Sequence, residues 1–260
     1  MPLIPLSQGS QNKLKQVRLI ATDMDGTLTH QGKFTANLLQ ALHELAIADI
    51  PVLIVTGRSA GWVNGLVSYL PVVGAIAENG GLAYFQPDIS EMIVPISDLV
   101  KHRQKLAQTF ADLQTHFPHL QESGDNRFRL TDWTFDIQNL TETDLQFLSD
   151  RCQSQGWSFT YSTVQCHIKT LHQDKAIALT HVLQHHFADV QLEQVLTIGD
   201  SPNDESLFDS NRFPLSVGVA NVLHYRDRLT HQPAYVTHAA EAEGFCEVAR
   251  KVIEANPSPL

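Results

Sequence analysis

The chain has 260 residues, 43% apolar and 18% charged, the balance of an ordinary globular protein with room for one large domain or a core carrying a smaller insert. Its net charge of −10 opposes binding to nucleic acid, no Lys/Arg run offsets that charge, and no apolar stretch approaches the length of a membrane span. Cys152, Cys166 and Cys246 are odd in number and lack C-x-x-C spacing, which argues against a disulfide framework or a structural zinc site and fits the cytoplasm.

Residues 1–16 are polar with no apolar leader region, so a secretory signal is not expected and the segment reads as a loose tail. The first buried strand is predicted over 17–22, followed by a helix from about Thr35 with Leu38, Leu42 and Leu45 on one face. A second buried strand spans 52–55, a helix runs to about Tyr69, and a third strand covers 72–77. This βαβαβ order implies a parallel sheet with right-handed crossovers.

The alternation then changes. Residues 82–85 and 92–94 read as a hairpin around a Pro87-Asp88 turn, followed by a helix over about 97–116. A strand near 128–137, a helix near 142–155 and strands near 158–161 and 165–169 complete an α+β module. Asp174 then caps a helix to about Phe187, and 195–198 form another buried strand. A short helix, strands near 215–219 and 234–237, and a helix from about Glu241 end the chain. The expected fold class is α/β, a Rossmann-like parallel core made of 1–82 and 171–260 with an inserted α+β domain over 83–170.

Asp23-Met24-Asp25-Gly26-Thr27-Leu28 places two carboxylates one residue apart at the carboxyl end of the first strand, where ligands bind in an open α/β sheet. Carboxylates so close repel unless a cation lies between them, so the pair asks for Mg²⁺, and an Asp beside such a metal can attack phosphorus. Taken alone such a stretch is more often a capped turn. Asp200 at the end of the 195–198 strand faces the same crevice, and with Asp204 and Asn203 it makes an oxygen-rich Mg²⁺ site. Ser201, Pro202 and Asp204 also suit a helix start. Thr56-Gly57-Arg58 follows the second strand and can offer a hydroxyl and backbone N–H groups to a phosphate. Lys175 opens its helix, where the macrodipole disfavours a cation; it is either a surface lysine or a partner for the nucleophile and a bound phosphate. The thirteen histidines show no H-E-x-x-H pattern and read as exposed or packing residues.

In this order the motifs D-x-D-G-T-L at 23–28, T-G-R at 56–58, Lys175 and G-D-x-x-N-D at 199–204 resemble the haloacid-dehalogenase-like superfamily of phosphatases. The insert looks like the superfamily's type IIB cap, Glu78-Asn79-Gly80 resembles a signature just before it, and the chain is most similar to the sucrose-phosphatase and mannosyl-3-phosphoglycerate-phosphatase branch. Ala176 departs from the Gly that many relatives carry after the Lys. The resemblance implies attack by Asp23 to form an aspartyl-phosphate, proton transfer by Asp25, and Mg²⁺ held by Asp23, the Asp25 backbone carbonyl and Asp200, with Asp204 and Asn203 outside or through water. Thr56 and Lys175 would hold the phosphoryl oxygens, with Gly57, Arg58, Asn79 and Asn203 as further substrate contacts.

The partner is then a small phosphorylated molecule, a sugar phosphate or glycosyl-phosphoglycerate. Selectivity is expected in the polar, cationic and aromatic stretch 125–133, where Arg127 and Arg129 share a strand face if the strand starts early. The same stretch also reads as a solvated loop. A phosphomutase or other phosphotransferase on the same core, or a phosphometabolite-binding regulator without turnover, are the competing readings.

Overall fold

The computed structural model describes residues 3–86 and 89–257. In chain order the strands are β1 (Ile4–Pro5), β2 (Leu19–Thr22), β3 (Val52–Val55), β4 (Gly74–Ala77), β5 (Leu82–Phe85), β6 (Ile89–Met92), β7 (Trp133–Asp136), β8 (Ser158–Tyr161), β9 (Gln165–Lys169), β10 (Val195–Gly199), β11 (Ser216–Gly218) and β12 (Tyr235–Val236). The helices are α1 (Gln11–Leu14), α2 (Ala36–Ile47), α3 (Ala60–Tyr69), α4 (Leu99–His116), α5 (Glu142–Ser154), α6 (Lys175–His186) and α7 (Glu241–Ala255). No helix among the described residues is long and apolar enough to cross a membrane.

A nine-stranded sheet runs in the order β1-β12-β11-β10-β2-β3-β4-β5-β6, parallel from β1 to β4 and antiparallel at β5 and β6. Its central strands are apolar on both faces because helices cover both. Ile20, Val52 and Ile54 face the layer of α2, α3 and α7, while Leu19, Ala21, Leu53 and Val55 face α6. The register pairs Thr22 with Ile198, so the ends of β2 and β10 lie side by side and carry Asp23 and Asp200 to one edge.

Two expectations are corrected. The amino-terminal segment is anchored, since β1 pairs with β12 and Leu6 and Leu14 are buried in the core. Leu6 follows a short apolar run broken by Pro5, and Leu14 stands alone between lysines, so no periodicity announces them. The hairpin, whose turn at Pro87-Asp88 lies outside the described residues, extends the large sheet through β4 rather than opening the insert, so a boundary at 82/83 would fall at the start of β5. Its buried face, with Ala83 and Phe85, packs in the α6 layer.

The second sheet, β7-β9-β8, is antiparallel and packs one face on α4 and α5 through Phe135, Cys166 and Ile168. Cys152, Cys166 and Cys246 are free thiols. We propose that the inserted unit comprises this sheet with α4 and α5, beginning at α4 and ending after β9.

Candidate active site

Asp23 leaves β2 with its N–H donating to Ile198 O at 2.9 Å, which fixes it against the end of β10. Its side chain, with those of Asp200 and Asp204, forms a buried cluster in which one carboxylate oxygen of each lies within 4.8 Å of the others. Lys175 Nζ enters from the start of α6 and donates to Asp23 Oδ1 at 2.5 Å and Asp204 Oδ1 at 2.6 Å. Asp204 Oδ2 accepts from the N–H of Asp200 at 2.9 Å and of Ser201 at 3.1 Å. Asp204 therefore shapes the 199–204 turn while also facing the lysine.

Three carboxylates against one ammonium leave the cluster with excess negative charge. Burial pushes the Asp23 carboxyl up to about 7, Asp204 adds to the rise, and Lys175 opposes it. Burial, then Asp23 and Asp204, likewise push Asp200 well above the ordinary carboxyl range. Burial alone would lower Lys175, but Asp204 and Asp23 outweigh it and hold the ammonium charged. A dry, oxygen-only donor set short of positive charge fits a hard divalent cation such as Mg²⁺.

Two neighbours define the space beside Asp200. Asn221 Nδ2 donates to Asp200 Oδ2 at 2.8 Å and to Gly26 O at 3.0 Å, tying the two motifs together. Gly26 has φ +81°, and a Cβ there would lie 2.5 Å from Asp200 Oδ2. Gly26→Ala is accordingly expected to lower stability by about 1–3 kcal/mol through strain and to displace Asp200. A thermal midpoint and a Mg²⁺ affinity both equal to wild type would contradict this.

Thr56 follows β3, buried, and its Oγ1 accepts from Arg58 N at 3.1 Å, which leaves the hydroxyl proton free to donate. Arg58 turns toward Asp25 and binds it through both oxygens, at 2.7 Å from Nε and 2.6 Å from Nη2. The Asp25 side chain therefore stands apart from the three clustered carboxylates. The left-handed Glu78-Asn79 pair, with φ 54° and 53°, closes the end of β4. Glu78 accepts from Ala60 N at 2.9 Å, Thr131 N at 2.7 Å and Thr131 Oγ1 at 2.6 Å, joining α3 to the chain entering β7. Asn79 Oδ1 accepts from Asn203 Nδ2 at 3.1 Å, while the buried Asn79 Nδ2 has no partner among the described residues.

The two cap arginines are not where the sequence places them. Residues 126–128 form a 3₁₀ turn and β7 begins only at Trp133, so Arg127 and Arg129 share no strand face. Arg127 is exposed over the Phe128 ring. Arg129 is fully buried and donates to Asp125, Asp132, Gln165 and Gly57 O, the last at 2.8 Å. Its fork is saturated by the protein, so Arg129 docks the cap on the 56–58 loop rather than presenting a donor to a ligand.

The polar side of β9 faces away from the cap helices. Cys166 and Ile168 face α4 and α5, which turns Gln165, His167 and Lys169 to the other face of the sheet. Thr134 and Thr160 flank His167 across the strands, and Ser158 is opposite Lys169. Asp132 Oδ2 lies 2.8 Å from His167 Nδ1, and a Cβ on Gly57 would come within 3.2 Å of His167 Nε2. The alternation of polar and apolar residues over 165–169 is a visible signal for this face. Asn221 has no comparable signal.

Residues 16–251 match the family model described as sucrose-6F-phosphate phosphohydrolase. The chain is 26% identical to phosphoglycolate phosphatase 1 of Saccharolobus solfataricus over 92% of this chain and 96% of that protein. It is 25% identical to phosphoglycolate phosphatase of Staphylothermus marinus over 93% of this chain and all of that protein. Among solved structures it is similar to a Thermoplasma acidophilum protein, with TM-score 0.74 and 20% identity over 92% of this chain and 99% of that one. It is also similar to the sucrose-phosphatase of Synechocystis sp., with TM-score 0.63 and 18% identity over 91% of this chain and 98% of that one.

Proposed function

The chain belongs to the sucrose-6F-phosphate phosphohydrolase family of haloacid-dehalogenase-like phosphatases, and on that premise we propose that it hydrolyses a small phosphate monoester by attack of Asp23 on phosphorus, with Mg²⁺ at the Asp23–Asp200 side of the acidic cluster. The observation that carries this reading is the cluster itself, a buried group of three carboxylates short of positive charge at the carboxyl edge of the sheet. As a phosphoric monoester hydrolase it takes the hydrolytic one of the three readings left open by the motifs.

Asp23 has one oxygen on Lys175, which leaves the other for in-line attack. As the P–O ester bond breaks, the leaving oxygen takes a proton from Asp25, which gives up one of its two Arg58 bonds to carry it. Water then attacks the aspartyl-phosphate, passes its proton to Asp25, and frees phosphate and Asp23. Thr56 Oγ1 and Lys175 Nζ are the donors for the phosphoryl oxygens. When bound, Mg²⁺ would be held by Asp23, the Asp25 carbonyl and Asp200, with Asp204 and Asn203 outside, and would neutralise phosphoryl charge.

The test is phosphate release from a generic aryl phosphate with Mg²⁺ or with chelator. Release only with the cation supports the reading, and a chain that binds Mg²⁺ but frees no phosphate from any monoester overturns it. A pH series adds a second readout. The Asp23 carboxyl sits at about 7 against an ordinary 3.8, so the folded chain keeps a proton that the unfolded chain has lost. That contribution to stability is full below 3.8 and lost as pH rises through about 7. In chelator the thermal midpoint is expected to fall between about pH 4 and 7, and the Mg²⁺-induced rise to be larger at pH 8 than at pH 5, because at pH 8 the cation no longer competes with that proton. An equal rise at both pH values would contradict it.

A further inference from the structure

The family model and the curated relatives carry names that differ in the leaving group, a neutral sugar in one and a small acid in the other. The cavity between cap and core bears on that difference. It measures about 290 Å³, at the lower end of the range for small-molecule sites, and runs from Lys175, Asn79 and Asn203 in the core to Ser158, Thr160 and Lys169 on the open face of the cap sheet. One end thus adjoins the lysine that holds the nucleophile.

At the other end, Lys169 is only 6% exposed and its ammonium donates to the Gln173 carbonyl. No carboxylate lies within ion-pair distance of it among the described residues. The nearby acids are engaged elsewhere: Asp132 with Arg129 and His167, and Asp174 with the N–H groups of Ala176 and Ile177. Glu205, the other acid lining the cavity, accepts from the N–H of Thr230 and His231. Burial pushes the Lys169 ammonium down, and Asp174 and Asp132 only partly oppose this. A buried ammonium without a counter-charge is costly unless an anion arrives from outside. The second unmet group in the same cavity is Asn79 Nδ2, a buried donor with no partner. Both point to a ligand that brings acceptors, and one of those acceptors must be charged.

We infer that Lys169 reads a carboxylate on the leaving group, so that the preferred substrates are phosphate monoesters of small hydroxy acids rather than of neutral sugars. This rests on the phosphatase reading above and adds the specificity-determining residue. Ser158 and Thr160, beside Lys169 on the cap sheet, supply hydroxyls for the remaining oxygens.

The experiment compares kcat/KM for 2-phosphoglycolate and ethyl phosphate, a pair of similar size that differs in the carboxylate, with an aryl phosphate as the check on basal chemistry. Wild type is expected to prefer the carboxylated ester by about 10- to 100-fold, the worth of one charged hydrogen bond. Lys169→Met should remove most of that preference through KM, and Lys169→Arg should retain part of it. Wild type that cleaves the aryl phosphate but treats the two esters alike overturns the assignment without any variant, and leaves the phosphatase reading standing. A Lys169→Met protein that keeps the full preference also overturns it. Wild type that cleaves none of the three overturns the phosphatase reading and this inference with it.

Discussion

Asp23→Asn is expected to reduce Mg²⁺-dependent hydrolysis of an aryl phosphate by at least about 10³-fold, as loss of a nucleophile does, while the chain remains folded. The carboxamide occupies the same space, so the β2–β10 edge and the Asp23 N–H bond to Ile198 O are kept. Lys175 retains Asp204 as its anionic partner at 2.6 Å. In chelator the variant's thermal midpoint should equal or exceed wild type near pH 8, because one of three crowded carboxylates is gone. The pH dependence of the midpoint assigned to Asp23 should flatten, and the Mg²⁺-induced rise should shrink. Activity near wild type would place the nucleophile elsewhere. A collapsed fold would show that Asp23 is needed for assembly of the edge.

The second large effect is on stability. Arg129→Met is expected to destabilise the protein by about 3–5 kcal/mol in urea unfolding, the range for breaking a buried ion pair from one side. Arg129 Nη1 lies 3.0 Å from each oxygen of Asp132, and both side chains are fully buried. Burial pushes the Asp132 carboxyl up, but Arg129 and then His167 more than reverse this, so it rests below its ordinary range. Without Arg129 that carboxylate keeps only His167, whose own ring burial pushes toward the neutral form. The same substitution frees the Gly57 carbonyl, so the 56–58 loop loses its tie to the cap and turnover should fall alongside stability. A loss under about 1 kcal/mol would be that of an exposed pair and would contradict the docking role.

These two residues mark how far the sequence alone could be read. Asp23 and Asp200 were legible because each ends an apolar strand, and parallel pairing of such strands brings their carboxyl ends to one edge by topology alone. Thr56 and the Lys175 helix start followed from the same alternation, with Asp174 as the visible cap. Arg129 was misplaced because a short polar stretch has no period. Whether it forms a strand or a 3₁₀ turn depends on Gln165 and Gly57, which arrive from other segments. The anchored amino terminus was missed for a similar reason, since Leu6 and Leu14 become core residues only once β1 pairs with β12.

The α/β class, the order of the elements and the acidic edge are carried by local spacing and by the strand-end rule, and so can be read from the residues in order. The tertiary structure alone decided which charges meet. It gave Asp25 to Arg58, closed Arg129 around Asp132, tied Gly26 to Asp200 through Asn221, and left Lys169 buried with no counter-charge among the described residues. Those pairings depend on how the cap sheet docks on the core, and docking is set by distances between segments far apart in the chain, which no periodicity encodes.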